Sequence, residues 1–528
     1  VVLTLCAEPT LGQSPGPNLP VDTPVGQVKA WSEWMSGPDA SLVNAREAFE
    51  NQAEWRTESR SCGEKPFARW AWWAQSRGGL TASVARSAWW QASEDWRQTA
   101  AVLPPDEDVQ WRHVAPRSVP THGGAGRINR VRIDPHDAQH WYACAPAGGL
   151  WHSWDEGQTW DVFGVDVLAP LGVTDLWIDP EDADHLWLAT GDGNGGDTYS
   201  IGVLETTNGG ATWEPLELSF EVEQGRTIYA IRPHPSKSDT VFVGTDLGLF
   251  RTLNAGMTFD LVHPGAARDL VWVNDSIAVV GVENQGVYRT TDCGANWVAC
   301  ELPESDNSAG RIQLAGHPNA DGMSPDTMYA VAGHYFQQNF LAFWRSVDGG
   351  LTWTAEATRD DGPNLLGYTV SGADGAGQAF WDLCIAVDPN HGNHVLVGGV
   401  NLWETSDGGA TWNCPVHWQG ASDAKYAHAD QHSITVLEDG RVVLGNDGGV
   451  FLWEGEEVMD LSAGLEITQG YAMAVHPGKA GHLMVGTQDN GTTLIQPDFE
   501  ARVLDGDGFH AFFDPEVEGR LYLSLIHI

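Results

Sequence analysis

Ser153-Trp154-Asp155-Glu156-Gly157-Gln158-Thr159-Trp160 is the stretch from which the fold is read. Its pattern is Ser/Thr-x-Asp/Asn-x-Gly-x-x-Trp/Phe. The side-chain oxygen of the third residue can accept hydrogen bonds from nearby backbone N–H groups and fold a turn. Glycine takes the positive φ that such a turn needs. The aromatic tucks beneath and buries a large apolar area, roughly 150–250 Å². The pattern returns as Thr206-x-Asn208-x-Gly210 to Trp213 and Thr252-x-Asn254-x-Gly256 to Phe259. It returns again as Thr290-x-Asp292-x-Gly294 to Trp297, Ser346-x-Asp348-x-Gly350 to Trp353, and Thr405-x-Asp407-x-Gly409 to Trp412. Asp155, Asn208, Asn254, Asp292, Asp348 and Asp407 are therefore read as structural.

The spacing between copies runs from 38 residues (Thr252 to Thr290) to 59 (Ser346 to Thr405). Around each turn lie short apolar strands, such as 128–135, 140–143 and 149–153 in the first unit. That period is the period of four-stranded propeller blades with variable loops. Two further units lack the turn but keep the strand order, one from His432 to Trp453 and one from Tyr471 to Gly491. Another begins near Phe509. The expected fold is an all-β propeller with at least eight blades' worth of chain. Two arrangements stay open: one large propeller, or a seven-bladed one followed by part of a second.

Residues 123–528 are assigned to the propeller. Residues 1–20 read as the remnant of a signal peptide and a Pro-rich linker. Residues 21–122 read as a Trp-rich, partly helical extension, with a helix over 43–59 and aromatic stretches at 67–73 and 88–96 that are helical or irregular. This extension is expected to pack on the propeller, the alternative being a carbohydrate-binding module with exposed tryptophans. No run approaches the roughly 18 apolar residues that span a bilayer. A secreted or cell-surface monomer is expected. Cys293 and Cys300 flank one short turn, either as a cross-hairpin pair or as free thiols.

Lysine and arginine total 28 against 71 acidic residues, a formal charge of −43. So negative a surface repels phosphate backbones, which argues against nucleic acid. It is compatible with polysaccharide, cations or a secreted protein.

The repeated turns and the Gly-Leu-Trp-x-Ser strand resemble the Asp-box (BNR-repeat) propellers. These include sortilin-type receptors, tandem-propeller xyloglucan hydrolases, sialidases and a photosystem-assembly propeller. The likeness is strongest to sortilin-like secreted bacterial propellers, often labelled glycosyl hydrolases. Thr190-Gly191-Asp192-Gly193, Gly445-Asn446-Asp447-Gly448-Gly449 and Gly486-Thr487-Gln488-Asp489-Asn490-Gly491 carry it. The sialidase Arg-Ile-Pro signature is absent. Where the xyloglucan hydrolases carry a first-blade catalytic aspartate, this chain has Cys144-Ala145-Pro146-Ala147-Gly148-Gly149. The resemblance therefore implies a binding propeller that engages a glycan or secreted protein on its loop face. The alternative is a glycoside hydrolase working through paired carboxylates.

Blade geometry says where to look. First-strand entries and second-to-third-strand turns share one face of the disc, opposite the repeated turns. His428-x-Asp430-x-His432 opens an inner strand there, and period two puts all three on one side as candidate metal ligands. Asp192, Asn194 and Asp197 form an oxygen-rich loop suited to Ca²⁺ or another divalent ion. Arg127, Arg226, Arg268 and Arg311 stand at or before four first strands and could converge on a carboxylate or sulfate. Asp447, Asp489, Asp505 and Asp507 are the candidate acid–base carboxylates.

Overall fold

The computed structural model describes residues 29–35, 40–51, 64–76 and 123–525, apart from 166–171, 197, 306–307, 318–326, 421–423, 498 and 505. Asp197, Asp505 and the Trp89–Trp96 stretch lie outside the described residues.

The repeated turn behaves as its chemistry requires. In the first copy, Gly157 N–H donates to Ser153 Oγ at 2.8 Å, Ser153 Oγ donates to Asp155 Oδ1 at 2.8 Å, and Thr159 N–H donates to the same oxygen at 2.8 Å. The same set recurs about Asn208, Asn254, Asp292, Asp348 and Asp407. Two successive residues are left-handed in each, Glu156 and Gly157 in the first copy, at φ 56° and 83°. The turn's own donors hold the Asp292 and Asp407 carboxyls down to about 2.

Each unit is an antiparallel sheet whose strands pair in chain order. In the first, Val131 lies opposite Ala143, Ala143 opposite Trp151 and Trp151 opposite Val162. Such sheets occupy 130–162, 173–219, 228–264, 267–299, 309–358, 384–426 and 431–460. The sixth adds a short parallel strand, Lys425–Tyr426. Both faces of a blade are covered by its neighbours, so second strands read as unbroken apolar runs. Trp141 to Ala145 are all buried, as are Leu186 to Ala189. Apolar clusters lie between successive blades; one joins Tyr142 and Leu150 of the first to Leu176, Leu188 and Leu204 of the second.

The blades close after seven. Inner strands touch in order from Arg130–Asp134 round to Gln431–Val436, which packs back on Arg130–Asp134. A shared cluster of Val131, Trp141 and Trp160 with Val443, Val450 and Leu465 seals the join. Ala125 N–H donates to the Gly448 carbonyl and Ile128 N–H to that of Asn446. This decides between the two arrangements in favour of the seven-membered ring. The sheet at 470–504 stands beyond it, and its inner strand Gly470–Val475 packs on Gly508–Phe513, which starts a two-stranded sheet.

Two helices precede the ring, α1 (Leu42–Asn51) and α2 (Glu64–Ser76). The first was expected with a longer reach, and the second falls where the sequence left helix and irregular structure open. Trp31 is no sugar platform: it is 1% exposed and meets Phe49, Phe67 and Phe380 edge-on. Trp72 of α2 meets Tyr471 and Phe509 in the same manner. Cys293 and Cys300 are free thiols. Cys293 sits in the turn and donates its N–H to Ser276, while Cys300 Sγ points at Gly350 of the next blade. No helix among the described residues is long and apolar enough to cross a membrane.

A Cβ at Gly350 would lie 2.6 Å from Val279 of the preceding blade and take a φ of +78°. Gly350→Ala is expected to destabilise by about 2–4 kcal/mol, because strain and overpacking add. Gly455→Ala, at φ +55° with nothing within 4 Å, should cost about 1 kcal/mol. Paired urea denaturation curves check the ordering.

Candidate functional site

In a sheet paired in chain order, the start of strand one and the end of strand two fall at the same edge. Ring closure brings those ends together around the axis. Two polar centres result, side by side.

The first is an arginine clasp. Arg127 Nη2 donates to Asp192 Oδ2 at 2.6 Å, Arg268 Nη1 to the Gly193 carbonyl at 2.8 Å, and Arg311 Nη2 to Asn194 Oδ1 at 2.8 Å. Three of the four sequence-predicted arginines thus converge, but on successive residues of the protein's own loop. The fourth, Arg226, is taken by Asp246 of its own blade at 3.1 Å. The same contacts correct the calcium reading. Asp192 is fully buried and also accepts from Asn129 at 3.0 Å, so its oxygens face donors. A loop held by three guanidiniums is a poor cation site.

The second centre is a buried carboxylate cluster. Asp447, in the strand two-to-three turn of blade seven, accepts from His432 Nε2 at 2.8 Å and from Trp381 Nε1 at 3.0 Å. Arg127 lies over the Trp381 ring, 4.3 Å from its centroid. Asp489, from the sheet beyond the ring, shares a hydrogen bond with Asp447. One oxygen each from Asp430, Asp447 and Asp489 lie within 4.8 Å of one another. Asp507 accepts the Asp489 N–H at 3.1 Å. Arg69 of α2 reaches in, to Asp489 at 2.5 Å and Asp507 at 3.2 Å.

Burial pushes the Asp447 carboxyl well above the usual range, and neighbouring Asp489 adds to it. The same holds for fully buried Asp382, where Asp430 is the chief neighbour. In both, burial and a like-charged neighbour favour the neutral acid over the carboxylate.

His428 and His432 are not metal ligands here. Asn194 Oδ1 is taken by Arg311, so its Nδ2 donates to His432 Nδ1 at 3.0 Å and leaves Nε2–H to donate to Asp447. Both ring nitrogens are used. The His428 ring packs on Gly448, where a Cβ would lie 2.5 Å away. The period-two argument fails because the strand begins only at Gln431 and Asp430 is left-handed at φ 67°. That turn sends Asp430 towards Asp447 and Asp489. Those three carboxylates are the set that could hold a hard divalent ion, with Arg69 as the competing positive charge.

Three participants were missed by sequence reasoning. Trp381 and Asp382 stand just before the sixth inner strand, the position where other blades carry arginine, so a blade-by-blade comparison would have exposed them. Arg69 lies 420 residues from Asp489, and nothing local marks it.

No protein-family model matches the chain. It is 25% identical over 378 residues to a xyloglucanase from Paenibacillus sp, covering 62% of this chain and 34% of that protein. It is 26% identical over 349 residues to xyloglucanase Xgh74A of Acetivibrio thermocellus, covering 56% and 39%. The chain thus matches between about a third and two fifths of these relatives' length. Among solved structures, the GH74 xyloglucanase from Xanthomonas campestris superposes with a TM-score of 0.55 at 19% identity, over 76% of this chain and 63% of that one. The GH74 enzyme of Niastella koreensis gives 0.54 at 17%, with the same coverage. These structures share the propeller fold.

Burial and the nearby Arg127 lower the His432 pKa from 6.5 to about 3. The unfolded chain therefore binds a proton that the folded one refuses, and stability falls as pH drops below 6.5. His432→Gln should remove about one proton, roughly 1.4 kcal/mol per pH unit, from the slope between pH 6 and 4; urea titrations at stepped pH check it. Arg69→Met should cost about 3–5 kcal/mol at pH 7, since it strands two buried carboxylates. That gap should narrow in acid, where the orphaned carboxylates take up protons; the same titrations read it.

Proposed function

We propose that the chain is part of an extracellular glycoside hydrolase acting on polysaccharide. One observation carries the reading: Asp447 and Asp489, from the ring and from the sheet beyond it, meet at one buried centre with ligand oxygens within 4.8 Å of each other, where burial raises the Asp447 carboxyl above its ordinary range. Two carboxyls in different ionisation states are what glycosidic cleavage requires. Asp447 is the acid, protonating the departing glycosidic oxygen. Asp489 is the carboxylate that attacks or activates water. Their oxygens stand closer than the roughly 5–5.5 Å of a retaining pair or the roughly 6.5–9.5 Å of an inverting one, so the pair must open before either course is available. The likeness to xyloglucanases supports a β-glucan-type substrate, and the repeated turns are read as Asp boxes that build the scaffold. Secretion fits the same reading.

α2 stands over the pair, and polysaccharide reaches it only when Arg69 releases Asp489. The sequence's first reading, a sortilin-like binding propeller, makes the same cluster a closed structural network. Release of reducing sugar from xyloglucan and mixed β-glucans separates the two. Asp447→Asn, which keeps hydrogen-bonding shape but not the acid, should lower kcat by about 10²–10⁴ while the protein stays folded by circular dichroism. Equal release by wild type and Asp447→Asn would remove Asp447 from the chemistry, and glycan binding without release by either would favour the binding propeller.

A further inference from the structure

Five arginines gather on the inner strands of blades one, three, four and five in a chain of formal charge −43. Asp175, fully buried on the second inner strand, is shared by Arg132 at 2.7 Å, Arg232 at 2.9 Å and Arg130 at 3.7 Å. Arg232 also takes Asp269 at 2.7 Å, and Arg268 takes Glu283 at 2.5 Å. Arg311, 4% exposed, meets only neutral oxygens: the carbonyls of Phe380, Trp381 and Leu383, and Asn194 Oδ1. Beside the Arg127–Asp192 pair, five guanidiniums thus share three carboxylates. Asp382 lies near Arg311 but makes no ion pair with it among the described residues; its Oδ2 accepts from Gln378 instead.

A small cavity lies among these groups, with Arg130, Arg268, Arg311, Tyr229 and Asn129 in its wall and no carboxylate. Arg311 carries a buried Nε–H without a hydrogen-bond partner, and the Nε of Arg130 makes no hydrogen bond either, its nearest carboxylate being Asp175 at 3.7 Å. A buried cation with an unused donor is costly unless a counter-ion meets it. Burial and the neighbouring Arg268 push the Arg311 pKa down to about 9, the response of a cation that lacks such a partner.

We propose that this cavity binds a single halide ion, chloride in nature. Size and donor geometry select the ion. The space admits about one water-sized sphere, which is too small for sulfate, phosphate or a sugar. Carboxylate and phosphate are gripped by the two-pronged face of a guanidinium, but both terminal nitrogens of Arg311 are committed to the chain. What remains are single N–H groups from separate arginines, which suit a spherical monovalent anion. The ion balances Arg311 and braces blades one, four and five at the axis.

The test is thermal unfolding of the 528-residue chain in sodium chloride, bromide, fluoride and sulfate at equal ionic strength. Chloride and bromide should give a saturable rise in Tm of about 2–5 °C over fluoride. Arg311→Met should abolish that difference. Should that variant not fold, Arg130→Gln serves the same purpose. Crystals soaked in bromide should show an anomalous peak between the two guanidiniums. The proposal is overturned by equal Tm values in the three halides, by stabilisation that follows only the general salting-out order with sulfate foremost, by a halide response that survives both substitutions, or by a cavity holding water alone in bromide.

Discussion

Everything in this protein depends on covering both faces of every sheet. A four-stranded blade is apolar on two sides, and only a ring of blades buries both without leaving an open edge face. The seventh blade meeting the first is therefore the constraint that the rest obeys. Trp141, Trp160 and Val131 on one side and Val443, Val450 and Leu465 on the other form one cluster. Once the ring closes, the starts of seven inner strands lie around one axis. Polar residues there leave water together, and each must find a partner among the others.

That requirement explains the distribution of arginine. The outer surface is strongly acidic, yet Arg127, Arg268 and Arg311 all point inward and hold consecutive residues of one loop. A buried guanidinium can satisfy several carbonyls or carboxylates at once, because its donors are fixed in a plane. Lysine, with a compact charge and a flexible stem, would do this poorly. The arginines are thus bracing struts of the channel before they are anything else.

The fold was legible because its signal is repeated and local. Six turns with the same donors and acceptors, spaced at blade length, leave little room for another architecture. The number of blades in the ring was not legible, since closure is a contact between residues about 300 positions apart. The site was legible by type and address but not by partnership. Asp447 and Asp489 were recognised from their place in strand two-to-three turns. The metal reading of His428 and His432 failed on a single backbone angle, since Asp430 at φ 67° breaks the alternation on which it rested. The arginines were located correctly and given the wrong ligand, because sequence cannot say whether converging donors meet a guest or a neighbouring loop.

The carboxylate cluster raises a tension between order and use. A fully satisfied polar network is rigid, and Asp447 already accepts from His432 and Trp381 while linked to Asp489. Catalysis asks that the same acid let go of one partner. The arrangement supplies an asymmetry that makes this feasible. The Asp447 carboxyl is fixed from the ring side by His432 of blade seven and Trp381 before blade six, whereas Asp489 belongs to a sheet outside the ring and is held by Arg69 of α2. The half fixed from the ring is the one whose pKa burial raises, and the other half draws its support from elsewhere. Displacing α2 would expose Asp489 first and leave Asp447 in place, still desolvated, which is the order of events that a general acid needs.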